Sequence, residues 1–229
     1  MKRFRSALPV CGLVLLVAGC NVIGAIAGKA PKPDILAAYK GMAGKTAGIM
    51  VYVDPSTQMD FPSLHLDIAN SLEAKLKDAQ KVQAEDKLVD LAGTTFPYQP
   101  RSFVRYQKEH PGIEALPITE VAPRLGVQRL IYVQVNSFST RADGTIAMFL
   151  GQIDVTLQVV EVENGVATIA YNEPAIRVKF PKKSPQEGEL NKSDQYMYVG
   201  TVGEVTTELA VRFFQHPDYS MGVADPDAN

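Results

Sequence analysis

Residues 147–159 alternate in polarity with unusual persistence. Ala147, Phe149, Gly151, Ile153, Val155, Leu157 and Val159 fall on one side of an extended chain; Gln152, Asp154, Thr156 and Gln158 fall on the other. Strand side chains repeat every two residues and helical ones every 3.6, so this segment is read as a strand with one buried and one wet face. Asn164-Gly165 follows, the dipeptide that best tolerates the left-handed backbone of a two-residue hairpin. A return strand is expected over Val166–Tyr171, broken at Pro174 and resuming over Ile176–Phe180.

Other segments extend this frame. Ile131, Val133 and Val135 alternate with Tyr132, Gln134 and Asn136, a further strand, and Asp143-Gly144 then offers a tight turn. Ile49–Val53 is a short apolar run stopped by Asp54-Pro55, the pattern of a buried strand. Leu64, Ile68, Leu72 and Leu76 form one apolar stripe on a helix, with Asp60 as its cap, Pro62 in its first turn and its end near Ala79. Lys87–Ala92 is expected as a short edge strand, and Arg101–Lys108 and Thr119–Leu125 as helical pieces. After a polar loop over 181–195, a last helix from Asp194 to Gln215 presents Val199, Val202, Val205, Leu209 and Phe213. The expected fold is an α/β sandwich: one mixed, largely antiparallel sheet of about four to five strands, with helices packed on one face. At 46% hydrophobic and 21% charged, the chain has enough apolar material for that core.

The N-terminus carries an address. Lys2, Arg3 and Arg5 precede an apolar run from Ala7 to Ala18, too short for a bilayer-spanning helix of roughly 20 residues and flanked like a cleavable signal. Its end, Val17-Ala18-Gly19-Cys20, resembles the bacterial lipobox, which implies cleavage between Gly19 and Cys20 and acylation of the Cys20 thiol. Two or three acyl chains, at about 0.8 kcal/mol per buried methylene, anchor stably where one is marginal. By the sorting rule of that family, Asn21 in place of aspartate implies the outer membrane, facing the periplasm, in a host with two membranes. The expected division is a signal over 1–19, a lipidated Cys20 and tether over 20–47 with a small helix at Ile35–Tyr39, an α/β domain over 48–216 and a loose tail over 217–229. Without the three signal cations the net charge falls from −2 to −5, which argues against nucleic acid as a partner. Cys11 would leave with the signal and Cys20 would be acylated, so no thiol remains for a disulfide, a metal or a nucleophile.

No motif singles out a reaction. Gly44-Lys45-Thr46 ends like a phosphate loop, but Tyr39 stands where that loop needs its first glycine. Asp54 to Asp60 spaces oxygens as a calcium loop does, yet Met59 and His65 occupy the positions that require Gly and Glu. Turn and cap roles are the preferred reading, although Asp54 ends the first strand, where ligands of open α/β sheets gather, and Asp60 lies nearby. His65, His110 and His216 lack metal spacing. No cofactor, metal or catalytic set is expected. The 147–180 hairpin also fits a transmembrane barrel strand, but a single hairpin without aromatic girdles favours a half-buried sheet.

A resemblance joins these pieces. The lipobox, the strand ending in Asp54, "IANSLEAKL" (68–76), "APRLGVQRLIYVQV" (122–135), "IDVTLQVVEVENG" (153–165) and "VTTELAVRFF" (205–214) together resemble periplasmic lipoproteins built on the fold of the TolB N-terminal domain and CsgG. The resemblance implies a non-enzymatic accessory role in the envelope, with an envelope protein or a second copy of the chain as partner. It carries no functional residue onto this chain, and the pore strands of CsgG are not found in it. The alternatives are an oligomeric pore component, from the hairpin, and a hydrolase using Asp54, Asp60 or His65.

Overall fold

The computed structural model describes residues 34–183 and 188–217. The signal segment, Gly19, Cys20 and the tail from residue 218 lie outside the described residues. Leu36–His216 form one compact unit.

Its frame is a four-stranded sheet whose strands lie side by side in chain order. β1 (Ala47–Val53) runs parallel to β2 (Arg129–Arg141), with Ala47 opposite Arg129 and Val53 opposite Val135. β2, β3 (Phe149–Glu163) and β4 (Val166–Phe180) form an antiparallel meander. The expected hairpin at Asn164-Gly165 is present, both residues having positive φ (54° and 81°). A separate two-stranded ladder pairs Asp34–Ile35 with His216–Pro217.

The alternation divides the molecule into layers. Ile49, Val51 and Val53 of β1, Ile131, Val133 and Val135 of β2, and Ile153, Val155, Leu157 and Val159 of β3 face one side. There they meet the long helices α2 (Leu64–Glu85) and α5 (Asp194–Ala210). The stripe Leu64, Ile68, Leu72 and Leu76 is buried in this layer, each side chain contributing roughly 1.5–3 kcal/mol of transfer free energy. Met50, Leu130 and Val160 point to the opposite face and pack against Phe103 of α3 (Pro100–Glu109), Ile113, and Val121 of α4 (Ile118–Val121). The two long helices thus share one face as expected, while α3 and α4 close part of the other. What stays open there is polar: Asn136 donates to Asp154 and Thr156 at 3.1 Å, Arg177 to Asp154 at 2.8 Å, and Gln158 to Asn172 at 3.1 Å.

Five local expectations are corrected. Residues 36–46 are no tether, and no helix forms at Ile35–Tyr39: Ala37, Tyr39 and Met42 are buried. Tyr39 donates to Glu161 at 2.7 Å, and Arg129 donates to the Gly41 carbonyl at 2.9 Å and to Glu163 at 2.9 Å. Lys87–Ala92 forms no strand, because glutamines of a longer α2 take up its backbone. Gln83 accepts from the Leu91 N–H at 3.1 Å, and Gln80 donates to the Leu91 and Thr94 carbonyls. Asp60 caps nothing: it ends a short helix, α1 (Pro55–Asp60), and Pro62 lies ahead of α2. β4 runs unbroken through Pro174, since an edge strand leaves room for a residue without N–H, and the register shifts there. Finally, α5 ends at Ala210 and Val199 faces solvent, 58% exposed.

Candidate functional site: a cleft beside the open edge of β1

β1 has a sheet neighbour on one side only. Along its C-terminal half the other side opens into a cleft with two lobes that meet at Tyr52, Gln107 and Glu114. The first lobe, about 80 Å³, lies between Val53, Gln58 of α1, His65 of α2 and Lys108 of α3. A cavity holds a water in about 10–15 Å³, so this lobe exceeds a one-water pocket severalfold. The second, about 200 Å³, has an apolar wall of Met50, Ile113, Leu116, Ile118 and Val121 and a polar wall of Tyr132, Gln134 and Gln158.

Local sequence explains each placement. Asp54 accepts from the Ser56 and Thr57 N–H groups at 2.9 and 3.1 Å, which starts α1 directly after β1 and carries Gln58 to the cleft. The Ser56 hydroxyl, which donates to the same carboxylate at 2.5 Å, and the Thr57 hydroxyl, followed by these N–H bonds, hold the Asp54 carboxyl down at about 2. His65 sits on the first turn of α2 beside the core position Leu64, which draws its ring inward until only 8% remains exposed. Its Nδ1 is buried without a hydrogen-bond partner. Burial first, and then the charge of Lys108, lower its pKa. Tyr132 is pushed up to about 12 by burial, with Tyr52 and Glu114 adding to the effect, and Tyr52 is raised by burial and by Glu114 and Asp54. Lys108 and Glu114 make no ion pair with another described residue.

Of the residues singled out in sequence, the structure puts His65 in this cleft and gives Asp54 a cap role beside it. Asp60 lines a different groove with Phe61, Ser63, Asp194 and Tyr198. Gly19 and Cys20 lie outside the described residues. Lys108, Glu114, Gln107, Tyr52 and Tyr132 carry no local sequence signal, because the cleft is assembled from segments far apart in the chain.

No family model matches the sequence, and no curated protein matches it. Among solved structures, the PelC dodecamer from Paraburkholderia phytofirmans shares 11% identity over 80% of this chain and 96% of that one, with a TM-score of 0.39. Lipoprotein GNA1162 from Neisseria meningitidis shares 13% over 72% and 96%, with a TM-score of 0.38. The hypothetical protein CT253 from Chlamydia trachomatis shares 12% over the same fractions, with a TM-score of 0.31. The superpositions are loose in every case.

Proposed function

We propose that this chain is a lipid-anchored, non-enzymatic binding module of the cell envelope, facing the periplasm from the outer membrane where the host has two. The observation that carries the reading is Val17-Ala18-Gly19-Cys20 behind Lys2, Arg3 and Arg5. No helix of the described residues is long and apolar enough to cross a membrane, so the attachment proposed is the Cys20 thioether. The folded unit starts at Leu36, and residues 21–35 lie between it and Cys20. The open polar face of β3 and β4 and the cleft beside β1 are the surfaces offered to an envelope partner or a second copy. The pore alternative gains nothing from the hairpin, whose apolar residues Ile153, Val155, Leu157 and Val159 are spent in the core.

Cys20→Ala tests the anchor: lipid labelling should vanish and an uncleaved precursor accumulate. A normally processed, membrane-bound mutant sinks the lipid-anchor reading. Crosslinking in intact cells tests the binding role. A purified protein that turned over a substrate, with no envelope partner captured, would replace the role with an enzymatic one.

A further inference from the structure

The cleft beside β1 presents two opposite charges that the fold does not use. Lys108 projects from α3 at the lobe that holds His65, and Glu114 stands where the two lobes meet. Neither is paired within the described chain, although the surface elsewhere pairs charges readily, as Arg212 does with Glu173 and Lys182 with Glu204. The His65 ring supplies direction. Its sealed Nδ1 has no acceptor for a proton, and an orphaned N–H is the rarer kind of buried unpaired group. The proton of the neutral ring therefore sits on Nε2, which becomes a donor on the accessible side of the ring. Next to this donor and cation lie an anion, the amide of Gln107, and then the apolar wall of the larger lobe.

We propose that the cleft binds a free α-amino acid with an apolar side chain. The carboxylate lies toward Lys108 and the His65 Nε2–H, the ammonium toward Glu114 beside Tyr52, and the side chain in the lobe of Met50, Ile113 and Val121. Both charged ends of the ligand are needed, one for each of the unpaired side chains Lys108 and Glu114. The inference narrows the binding role proposed above, but it rests on the cleft and not on Cys20.

Calorimetric titration of the full chain in mild detergent tests it, with L-leucine, 4-methylpentanoate and isoamylamine as probes. Leucine should bind saturably, and 4-methylpentanoate and isoamylamine, each lacking one charge, at least tenfold more weakly. Lys108→Gln and Glu114→Gln, both on exposed side chains, should each weaken leucine binding at least fivefold while leaving the melting temperature unchanged. No heat with leucine, or equal binding of all three probes, overturns the proposal. Leucine binding undiminished in both variants overturns it as well. Each of these outcomes leaves the Cys20 experiment unaffected, so failure of the ligand and failure of the anchor are read separately.

Discussion

At the scale of single residues, His65 is the least satisfied group in the described structure. An unpartnered buried polar atom costs about 1–3 kcal/mol, and Nδ1 is such an atom. His65→Leu, which keeps the apolar contacts and removes the nitrogens, should raise stability at pH 7 by about 1 kcal/mol, read from denaturant unfolding. The pH dependence has a definite sign. Burial, helped by Lys108 and opposed by Asp67, lowers the folded-state pKa below the ordinary value of 6.5. Below that value the unfolded chain takes up a proton that the folded chain refuses, so stability falls as the pH drops from 6.5 and is unaffected above it. Melting temperatures measured from pH 7.5 to 5.5 should show this slope in the native protein and a flatter profile in His65→Leu. An identical slope in both would assign it to other groups. None of this was legible in the sequence, where His65 is one of three histidines without metal spacing: its position next to Leu64 gives no warning that residues of α1 and α3 line the same lobe.

At the scale of elements, the sequence was most legible where periodicity ran long. The stripe Leu64–Leu76, the alternation of β3 and the Asn164-Gly165 turn all stand as read. It was least legible where side chains replaced backbone pairing, as the α2 glutamines do for residues 87–94, and where an edge position excused Pro174. The crossing of α5 over the sheet is a further case. Gly151 of β3 sits so near α5 that a Cβ there would overlap Thr201 Oγ1 and lie 3.2 Å from the Met197 carbonyl, whereas a Cβ on Gly203 meets nothing within 4 Å. Gly151→Ala should therefore destabilise by about 1–3 kcal/mol through overpacking. Gly203→Ala, in a helix interior, should stabilise by roughly 0.5–1 kcal/mol. Thermal denaturation of the two variants checks the contrast, and equal effects would place α5 differently on the sheet.

At the scale of the whole molecule, the folded unit is larger than its strand pattern suggests. Met42 is fully buried, Thr94 donates to its carbonyl at 2.8 Å, and Arg129, itself 5% exposed, reaches back to Gly41. Burying a side chain such as Met42 is worth 2–5 kcal/mol against alanine, a large share of the 5–15 kcal/mol that typically holds a domain. A chain begun at Leu36 should melt cooperatively, and one begun at Gly48 should lose that transition; circular dichroism with heating separates them. A cooperative melt from the shorter chain would restore the tether reading.

The parallel pairing of β1 with β2 has a consequence in time. The meander β2-β3-β4 closes through short turns, but Thr46 meets Gln128 across 82 positions of sequence, and contacts that distant form slowly because the intervening loop must close first. A chain that emerges N-terminus first presents β1 early and β2, its sheet partner among the described residues, much later. Until residues 129–135 arrive, Ile49, Val51 and Val53 are an apolar strand with no sheet to join, and this is the interval in which such a chain most needs a chaperone.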